Sequence, residues 1–434
     1  MGTLDEALAL AGRSPFGLLG RTLGHSWSPA IHRELGSWPY DLFEVEPDDV
    51  EAFVRRGAWR GLNVTIPYKL DAARLADEAT GRVRETGAAN TLVKREDGSI
   101  LAENTDVLGF AWLLGRFCER HLGANSKEAL AGQEVLVLGS GGASRAVCCA
   151  LGSVGARPVV VSRRGPETYE GLAARHAGAR LVVNTTPVGM YPHCPASPLA
   201  AEELARLAEG GLAGVVDIVY NPERTGIVLD GERLGIPAES GLAMLVAQAL
   251  RSSELFQGRD LDEALVSSIE ASLRARERNV VFIGMPGAGK TSTGRALAHQ
   301  LRRPFVDLDE AIRLDCGVSP ADIIREQGEE AFRRVETETV AKYGARSGTV
   351  VACGGGVVTR PENYPLLHQN GTIVLVERPL EELSSAGRPI SAARGVEALA
   401  RERGPLYRAW ADVTLSCTGT PSGDAREVAR LLGL

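Results

Sequence analysis

Residues Gly284 to Thr291 read GMPGAGKT, a spacing that can hold phosphate groups. In Gly-x-x-x-x-Gly-Lys-Thr loops, backbone amides wrap the phosphates, the lysine meets their charge and the threonine hydroxyl ligates magnesium. The loop follows the apolar stretch NVVFI and precedes a helical pattern, which is the context that this motif requires. We therefore expect Lys290 and Thr291 to bind a nucleotide with Mg²⁺, whatever reaction the nucleotide serves.

Acidic and basic side chains beyond this loop are suited to act on a phosphoryl acceptor. The stretch FVDLDEAI places Asp307 and Asp309 at a strand end, and period-two alternation predicts both on one side. One carboxylate can help to hold Mg²⁺ while the other meets a hydroxyl nucleophile. Arg333, Arg388 and Arg403 would suit an anionic substrate and a transferred phosphoryl group, although each arginine alone is more typical of a solvated surface.

A second glycine loop, LGSGGASRA, lies earlier in the chain at Leu138 to Ala146. It follows the strand-like stretch EVLVL and opens a helix, so the amides of its glycines can approach a pyrophosphate. A tight strand-to-helix turn without a ligand is the alternative. The next strand, VVVSRR, ends in Ser162, Arg163 and Arg164 instead of the acid that binds the ribose of NAD. Two guanidinium groups there favour the 2′-phosphate of NADP, unless they are only surface charges.

Lys69 and Asp106 form a combination that can move a proton beside a carbonyl group. A lysine paired with a carboxylate can hold and relay a proton while hydride arrives at carbon. Amides and hydroxyls near them in the sequence suit a polyhydroxylated ring; they belong to Asn63, Thr65, Asn90 and Asn104. Taken singly, each of these side chains is more typical of a turn or of the surface.

Two series of alternating strand-like and helical stretches position these residues. The first series starts near Glu134 and the second at Asn279, and each predicts βαβ units on a parallel sheet. Between them, EALVSSIEASLRARER predicts an exposed helix that runs into a linker, with a domain boundary near Arg278. The first hundred residues carry strand and helix patterns of their own, so the part before the boundary should contain two lobes.

Composition narrows the classes of function. The 434 residues are 44% hydrophobic and 24% charged, which predicts two or three globular domains. The net charge of −7 offers no basic surface for nucleic acid or an anionic membrane. No apolar run is long enough to span a bilayer, and Asp5 and Glu6 argue against a leader peptide. Seven cysteines without a CxxC pair fit reduced thiols in the cytosol.

Before the predicted boundary the chain carries an ordered set of motifs: GHSWSP, GLNVTIPYK, GAANTL, ENTDVLG, LGSGGASRA, NTTPVGM, DIVYNPERT and GLAMLVAQA. This part resembles shikimate dehydrogenase along its whole length. The resemblance implies that Lys69 and Asp106 form the catalytic pair. It implies a substrate site, with Tyr220 near the carboxylate, made of Ser26, Ser28, Thr65, Asn90, Asp106, Tyr220 and Gln248. It implies a cofactor site for NADP(H) made of Gly139, Ser140, Gly141, Gly142, Ala143, Ser162, Arg163 and Arg164.

After the boundary, a second ordered set comprises the phosphate loop, DLD, FRRVE, GGG, Arg-Pro and RGPLY, and this part resembles shikimate kinase. The resemblance implies an ATP site made of Gly287, Ala288, Gly289, Lys290, Thr291, Ser292 and Arg388, the last in a closing lid. It implies Mg²⁺ ligation by Thr291 and Asp307. It implies a shikimate site made of Asp309, Arg333, Gly355, Gly356 and Arg403.

The resemblances imply two α/β parts, a two-lobed dehydrogenase over residues 1–275 and a P-loop kinase domain with a parallel sheet over 279–434. The dehydrogenase would combine a substrate lobe, about 1–107 plus 241–272, with a Rossmann lobe for NADP, about 108–240. They imply reduction of 3-dehydroshikimate by NADPH to shikimate, then phosphorylation of shikimate by MgATP at its 3-hydroxyl.

Two alternatives remain open from the sequence. The first part could use quinate, although two serines, Ser26 and Ser28, favour shikimate. Alternatively, one half could have lost catalysis and serve to bind or regulate, although four residues argue against this because they are intact: Lys69, Asp106, Lys290 and Asp307. The oligomeric state does not follow from the sequence.

Overall fold

A computed structural model of the chain describes residues 3–24, 26–383 and 395–434. The chain forms two compact units, and it passes from one to the other more than once. The first unit comprises Met1–Pro187, Ser197–Tyr220 and Asp230–Ala271. The second unit comprises Val188–Ala196, Asn221–Leu229 and Ser272–Leu434.

The first unit begins with a six-stranded sheet in the order β2-β1-β3-β5-β6-β4. Its strands are β1 Phe16–Gly20, β2 Tyr40–Glu44, β3 Gly61–Val64, β4 Glu78–Ala79, β5 Thr91–Lys94 and β6 Ile100–Glu103. The helices around it are α1 Leu4–Ala11, α2 Ser28–Glu34, α3 Val50–Arg56, α4 Lys69–Leu75 and α5 Gly81–Thr86. Strand β5 runs antiparallel to both of its neighbours, so the sheet is mixed.

The second sheet of this unit is parallel throughout, in the order β11-β10-β9-β7-β8. Its strands are β7 Glu134–Leu138, β8 Arg157–Val161, β9 Leu181–Asn184, β10 Gly214–Asp217 and β11 Ala238–Glu239. The helices from this stretch of chain are α6 Thr105–Phe117, α7 Ser126–Leu130, α8 Gly142–Ser153, α9 Leu172–Arg175, α10 Ala201–Glu209, α11 Gly226–Arg233, α12 Leu242–Gln257 and α13 Ala264–Glu277. Strands β7, β9 and β10 are apolar and buried almost without interruption, as parallel strands covered on both faces must be.

The second unit contains a five-stranded parallel sheet in the order β13-β14-β12-β15-β16. Its strands are β12 Asn279–Ile283, β13 Phe305–Asp307, β14 Val350–Ala352, β15 Gly371–Glu377 and β16 Val413–Ser416. Its helices are α14 Lys290–Leu301, α15 Leu308–Cys316, α16 Pro320–Gln327, α17 Glu329–Gly344, α18 Asn363–His368, α19 Val396–Trp410 and α20 Pro421–Leu432. The two predicted βαβ series are therefore confirmed.

Two further findings concern the helices. Helix α13 ends at Glu277 and β12 begins at Asn279, so Arg278 is the single residue between them. Among the described residues, no helix is both long enough and apolar enough to cross a membrane.

Candidate functional sites

Lys69 and Asp106 meet in the first unit at the starts of two helices. Lys69 is the first residue of α4, and Asp106 lies in the first turn of α6. Lys69 Nζ donates to Asp106 Oδ2 over 2.6 Å, and the two side chains are 24% and 13% exposed. An ammonium group that is held by a carboxylate and still reaches solvent can give up a proton and regain it.

Asn90 connects this pair to helix α12. The buried Asn90 amide donates through Nδ2 to Asp106 Oδ1 at 2.9 Å and to Gln248 Oε1 at 2.8 Å. Its Oδ1 accepts from the backbone N of Thr105 at 2.7 Å. The amide is thus used at both ends, which fixes its orientation and that of the carboxylate beside Lys69.

A close helix contact brings Gln248 into this network. Gly109 on α6 faces α12, where a Cβ would lie 2.7 Å from the carbonyl oxygen of Met244 and 2.8 Å from Cβ of Gln248. Any larger residue would separate the two helices, so the contact requires glycine at this position. The close packing of α6 against α12 therefore explains the glycine in ENTDVLG, which the motif alone does not.

The other predicted substrate residues of the first unit lie at the start of α2, at Tyr220 and just beyond β3. Ser28 is the buried first residue of α2, and its backbone N donates to Ser26 Oγ at 3.3 Å. Between them lies Trp27, whose ring packs 5.0 Å from the ring of Tyr220. Burial raises the pKa of Tyr220, so its hydroxyl is neutral and able to donate. Thr65 lies just beyond β3 and is partly exposed.

Asn63 and Asn104 have structural roles instead. Asn63 is buried and accepts from Tyr40 Oη at 2.9 Å. Asn104 is buried and donates through Nδ2 to Thr86 Oγ1 and to Ala88 O, both at 3.0 Å. Their amides connect neighbouring strands and loops, and a role for them in binding a ring stays a prediction.

The glycine loop at Leu138 to Ala146 lies at the carboxyl edge of the parallel sheet. Gly139 has φ of +108°, and a Cβ there would lie 2.9 Å from Thr185 Oγ1. Gly141 and Gly142 face open space where side chains would otherwise be, at the N-terminus of the twelve-residue helix α8. This is the room and the dipole that a pyrophosphate requires. The flanking residues Ser140 and Ala143 belong to the same turn.

The predicted 2′-phosphate ligands lie beside this loop. Gly139 N donates to Val161 O over 2.8 Å, and Val161 ends β8. Ser162, Arg163 and Arg164 follow directly, with both arginine side chains exposed. Adjacent parallel strands end at one edge of a sheet, so the guanidinium groups are on the same side as the glycine loop.

In the second unit, the Gly284–Thr291 loop curls around an ammonium group. Gly284, Gly287 and Gly289 have φ of +139°, +87° and +103°, values that L side chains rarely adopt. Lys290 begins α14 and is mostly buried, with Nζ donating to the carbonyl oxygens of Gly284 and Met285, both at 2.9 Å. The loop therefore presents amides, a helix N-terminus and a cation to one point.

The side chains predicted to hold Mg²⁺ are in contact. Thr291 Oγ1 donates to Asp307 Oδ2 over 2.7 Å, beside the phosphate loop. Both are hard oxygen donors, which suits Mg²⁺. The described residues contain no cluster of three or more His, Cys, Asp or Glu side chains that could hold a metal. Mg²⁺ at this position would therefore need nucleotide oxygens and water to complete its shell.

Asp309 does not share a strand with Asp307, which corrects the prediction from period-two alternation. Strand β13 ends at Asp307, whose Oδ1 accepts from the backbone N of Asp309 at 3.1 Å and caps helix α15. Asp309 thus lies on the first turn of that helix. Its Oδ1 faces Gly354, where a Cβ would lie 3.0 Å away.

Arg333 is buried against a glycine. Its Nη1 donates to Glu336 Oε2 at 2.6 Å and its Nη2 to Glu329 Oε1 at 2.9 Å. A Cβ at Gly356 would lie 2.1 Å from Nη2, so only glycine leaves space for the guanidinium group. Burial raises the pKa of Glu336, and Arg333 and Arg403 oppose that rise. Sequence reasoning assigned Glu336 no role, although its three-residue spacing from Arg333 on a helix was a visible signal.

Arg403 is also buried, and it donates through Nη1 to Gly355 O at 3.0 Å. Within the part of the chain that the structure describes, its Nε and Nη2 find no hydrogen-bond acceptor. A buried cation with two unused donors indicates an anionic ligand at this position.

Most of the predicted kinase residues line one cavity of about 1220 Å³. Its lining includes Gly287, Gly289, Lys290, Thr291, Ser292, Asp307, Asp309, Arg333, Gly355, Gly356 and Arg403. Ala288 is buried in the hydrophobic core behind the loop. Arg388 lies outside the described residues. Burial raises the pKa of Cys353 in this lining well above its usual range, so the thiol stays protonated.

Comparisons with known proteins match both units. A family model described as shikimate dehydrogenase substrate binding domain matches residues 18–92, and one described as shikimate kinase matches residues 286–432. A shikimate dehydrogenase (NADP(+)) from Methanothermobacter thermautotrophicus is 35% identical over 272 residues, which cover 56% of this chain and 91% of the relative.

Two solved structures are similar in fold to about three-fifths of the chain. A chorismate mutase/shikimate 5-dehydrogenase fusion protein from Clostridium acetobutylicum is 32% identical, with 60% of this chain and 97% of that one covered and a TM-score of 0.52. The shikimate 5-dehydrogenase from Thermus thermophilus in complex with NADP(H) and shikimate is 30% identical, with 59% and 98% covered and a TM-score of 0.50. The chain therefore belongs to the shikimate dehydrogenase family, and it carries a shikimate kinase domain after its dehydrogenase part.

Proposed function

We propose that the chain is a bifunctional enzyme of the shikimate pathway that catalyses two consecutive reactions. The dehydrogenase part reduces 3-dehydroshikimate with NADPH to shikimate, and the kinase part phosphorylates shikimate with MgATP to shikimate 3-phosphate. The observation that carries this proposal is the presence, in one chain, of the Lys69–Asp106 pair and of a phosphate-loop cavity lined by buried arginines.

In the reduction, Lys69 would donate its Nζ proton to the carbonyl oxygen of the substrate as hydride reaches the carbonyl carbon. Bound NADPH supplies that hydride. Asp106 holds the ammonium group at 2.6 Å and Asn90 holds Asp106, so the proton donor is oriented before substrate arrives. Lys69 then regains a proton from solvent.

Substrate and cofactor would be held by side chains around this pair. The ring hydroxyls and carboxylate would contact Ser26, Ser28, Thr65, Asn90, Asp106, Tyr220 and Gln248. The pyrophosphate would bind at the turn from Gly139 to Ala143, where two glycines leave open space. Arg163 and Arg164 would meet the 2′-phosphate, which supports NADP(H) over NAD(H).

In the phosphorylation, Asp309 would accept the proton of the attacking 3-hydroxyl, as the carboxylate of a phosphotransferase site does. Lys290 and the amides of residues 287–292 would bind the transferred phosphate, and Thr291 and Asp307 would ligate Mg²⁺. Arg333 and Arg403 would bind the substrate carboxylate against Gly355 and Gly356, because their buried contacts hold both guanidinium groups in place. We assign Arg388, which lies outside the described residues, to the ATP site.

The protein is proposed to act in the cytosol, where NADPH and ATP are available. All seven cysteines are free thiols, which fits a reducing compartment.

Separate assays of the intact chain test both activities. NADPH oxidation with 3-dehydroshikimate measures the first, and ADP release from MgATP with shikimate measures the second. We expect both rates to depend on the named substrate, with quinate turned over more slowly than shikimate in the reverse, NADP⁺-dependent direction. A chain that shows only one rate would establish that the other half is catalytically silent, and a preference for quinate would reassign the first half.

A further inference from the structure

The segment Asn221–Leu229, here called the anchor segment, follows Tyr220 directly in the chain but packs within the second unit. Glu223 N donates to Asn370 Oδ1 at 2.9 Å. Asn370 is itself buried, and its Nδ2 donates to Ala345 O at 3.1 Å. The backbone of the anchor segment is therefore bound to a side chain that the second unit already holds in place.

A neighbouring residue adds two more hydrogen bonds to the same place. Arg224 N donates to Gln369 O at 2.8 Å, and Arg224 Nη1 donates to His368 O at 3.0 Å. His368 ends α18, so these acceptors include a carbonyl at a helix C-terminus, where a cation is favoured. Burial and the neighbouring Arg224 cation together lower the pKa of His368 to about 4, so the imidazole adds no competing charge at neutral pH.

The Glu223 carboxylate is the charged centre of the attachment. It forms ion pairs with Arg274 and Arg278, the latter including Nε at 2.7 Å, and its side chain is 13% exposed. Burial alone would raise the pKa of Glu223, but Arg278, Arg224 and Arg274 lower it to about 2. A carboxylate this enclosed is stable only while its cationic partners stay in place.

One of these partners, Arg278, is itself held in place by the second unit. Arg278 is the single residue between α13 and β12, and its carbonyl oxygen accepts from Arg303 Nη1 at 3.0 Å. The next residue, Asn279, donates its backbone N to Asn370 O at 2.8 Å. Asn370 therefore contacts both the anchor segment and the start of the central strand.

We propose that Glu223 is a positioning residue for the reduction reaction: by binding the anchor segment to the kinase-containing unit, it sets the position of Tyr220, which precedes that segment directly. This inference rests on the proposed function, in which Tyr220 contacts the substrate carboxylate. Affinity for 3-dehydroshikimate would then depend on contacts that the kinase-containing unit supplies. Tyr220 packs on Trp27 at 5.0 Å, so a shift of its backbone would also disturb the turn that carries Ser26 and Ser28.

The test compares the full-length wild type with Glu223→Gln, which keeps the shape of the side chain and removes its charge. We expect the KM for 3-dehydroshikimate to rise about three- to tenfold, the range for changes that act through packed networks. The kcat of the reduction and both kinase parameters should change less than about twofold, since neither Lys69 nor the phosphate loop is altered. Glu223→Asp, which retains the charge, should restore most of the lost affinity.

A matched control is Glu427→Gln, which removes a carboxylate paired with Arg430 on the exposed face of α20 in the same unit. Its KM should equal that of the wild type. If Glu223→Gln loses both activities, Arg274→Gln takes its place, because it removes one cation and leaves the Arg278 contact.

The outcomes separate this inference from the proposed function. A wild type that does not reduce 3-dehydroshikimate would reject the proposed function and the inference with it. An active wild type with an unchanged KM in Glu223→Gln would reject the inference alone. A fall in kcat at constant KM would also reject it, because that is the signature of fewer folded molecules and not of a displaced binding residue.

Discussion

The proposed reductase site around Lys69 and the proposed kinase site around Arg403 differ in how their buried polar groups are hydrogen-bonded. Around Lys69, each group finds a partner from the protein: the ammonium meets Asp106, and Asn90 joins that carboxylate to Gln248. Around Arg403, Nε and Nη2 have no acceptor among the described residues, and Glu336 Oε1 has no donor there.

The difference indicates how each site meets its ligand. A complete network holds its geometry without substrate and must exchange some of its hydrogen bonds when substrate enters. An incomplete one leaves buried donors at a cost of about 1–3 kcal/mol for each unsatisfied group, and an anionic ligand removes that cost. We therefore expect changes in the reductase site to affect folding and chemistry together. In the kinase site the two effects should separate.

The largest expected effect is on the proton donor. Lys69→Ala should lower reductase turnover by about two to four orders of magnitude, the usual contribution of a positioned acid or base. Kinase turnover of supplied shikimate should stay within about twofold, which a parallel assay of ADP release measures. Lys127→Ala, an exposed lysine on α7, is the control and should leave both rates unchanged. Normal reduction by Lys69→Ala would refute the proton-transfer role.

The second-largest effect is expected at Arg403, where buried donors have no acceptor among the described residues. Arg403→Met should lower kinase kcat/KM for shikimate by about two to three orders of magnitude, as loss of a preorganised charge does. Its calorimetric unfolding temperature without ligand should stay close to that of the wild type, because the substitution removes a buried cation whose Nε and Nη2 have no acceptor among the described residues. Arg401→Met on the exposed face of the same helix should alter neither quantity. A strongly destabilised Arg403→Met protein would show that Arg403 is a structural residue.

In the hydrogen-bonded network around Lys69, one substitution should lower both stability and activity. Asn90→Leu should lower the free energy of unfolding of the first unit by about 1–3 kcal/mol, because it leaves polar groups of Thr105 and Gln248 without their partner. Reductase activity should fall with it, while kinase activity persists. Gln133→Leu, at an exposed amide, supplies the calorimetric control. Unchanged thermal unfolding in Asn90→Leu would mean that the reductase network carries no stability.

The smallest expected effect concerns cofactor choice. Arg163→Ala should raise the KM for NADPH about tenfold, in line with the loss of one charge-assisted contact, and should change the KM for NADH far less. Arg157→Ala, at the start of β8, the strand that Arg163 follows, should leave both values unchanged. Equal changes for the two cofactors in Arg163→Ala would show that this arginine does not contact the 2′-phosphate.

The sequence predicted best what depends on local spacing. Both glycine loops, Gly139 to Gly142 and Gly284 to Lys290, follow an apolar strand and precede a helix. The loops and the two parallel sheets could therefore be predicted from the sequence pattern alone. Where a strand ended earlier than expected, the prediction was wrong: Asp309 lies on a helix because Asp307 caps it.

Contacts between residues far apart in the chain were beyond the sequence. Nothing in the spacing of Gly109 indicates that it faces Met244, or that Glu223 pairs with Arg274 and Arg278. The charged stretch SLRARER reads as a solvated linker, yet its arginines include two partners of one enclosed carboxylate. A run of charged residues predicts a charged surface, but only the fold shows which residues form ion pairs with it.

The central claim is that one chain converts 3-dehydroshikimate to shikimate 3-phosphate in two steps. Its most direct measurement is the mass-spectrometric yield of shikimate 3-phosphate from the intact chain with 3-dehydroshikimate, NADPH and MgATP in one tube. We predict phosphorylated product with all three components, shikimate alone when ATP is omitted, and no product when NADPH is omitted. Failure to form shikimate 3-phosphate with all three present, or its formation without NADPH, would contradict the account.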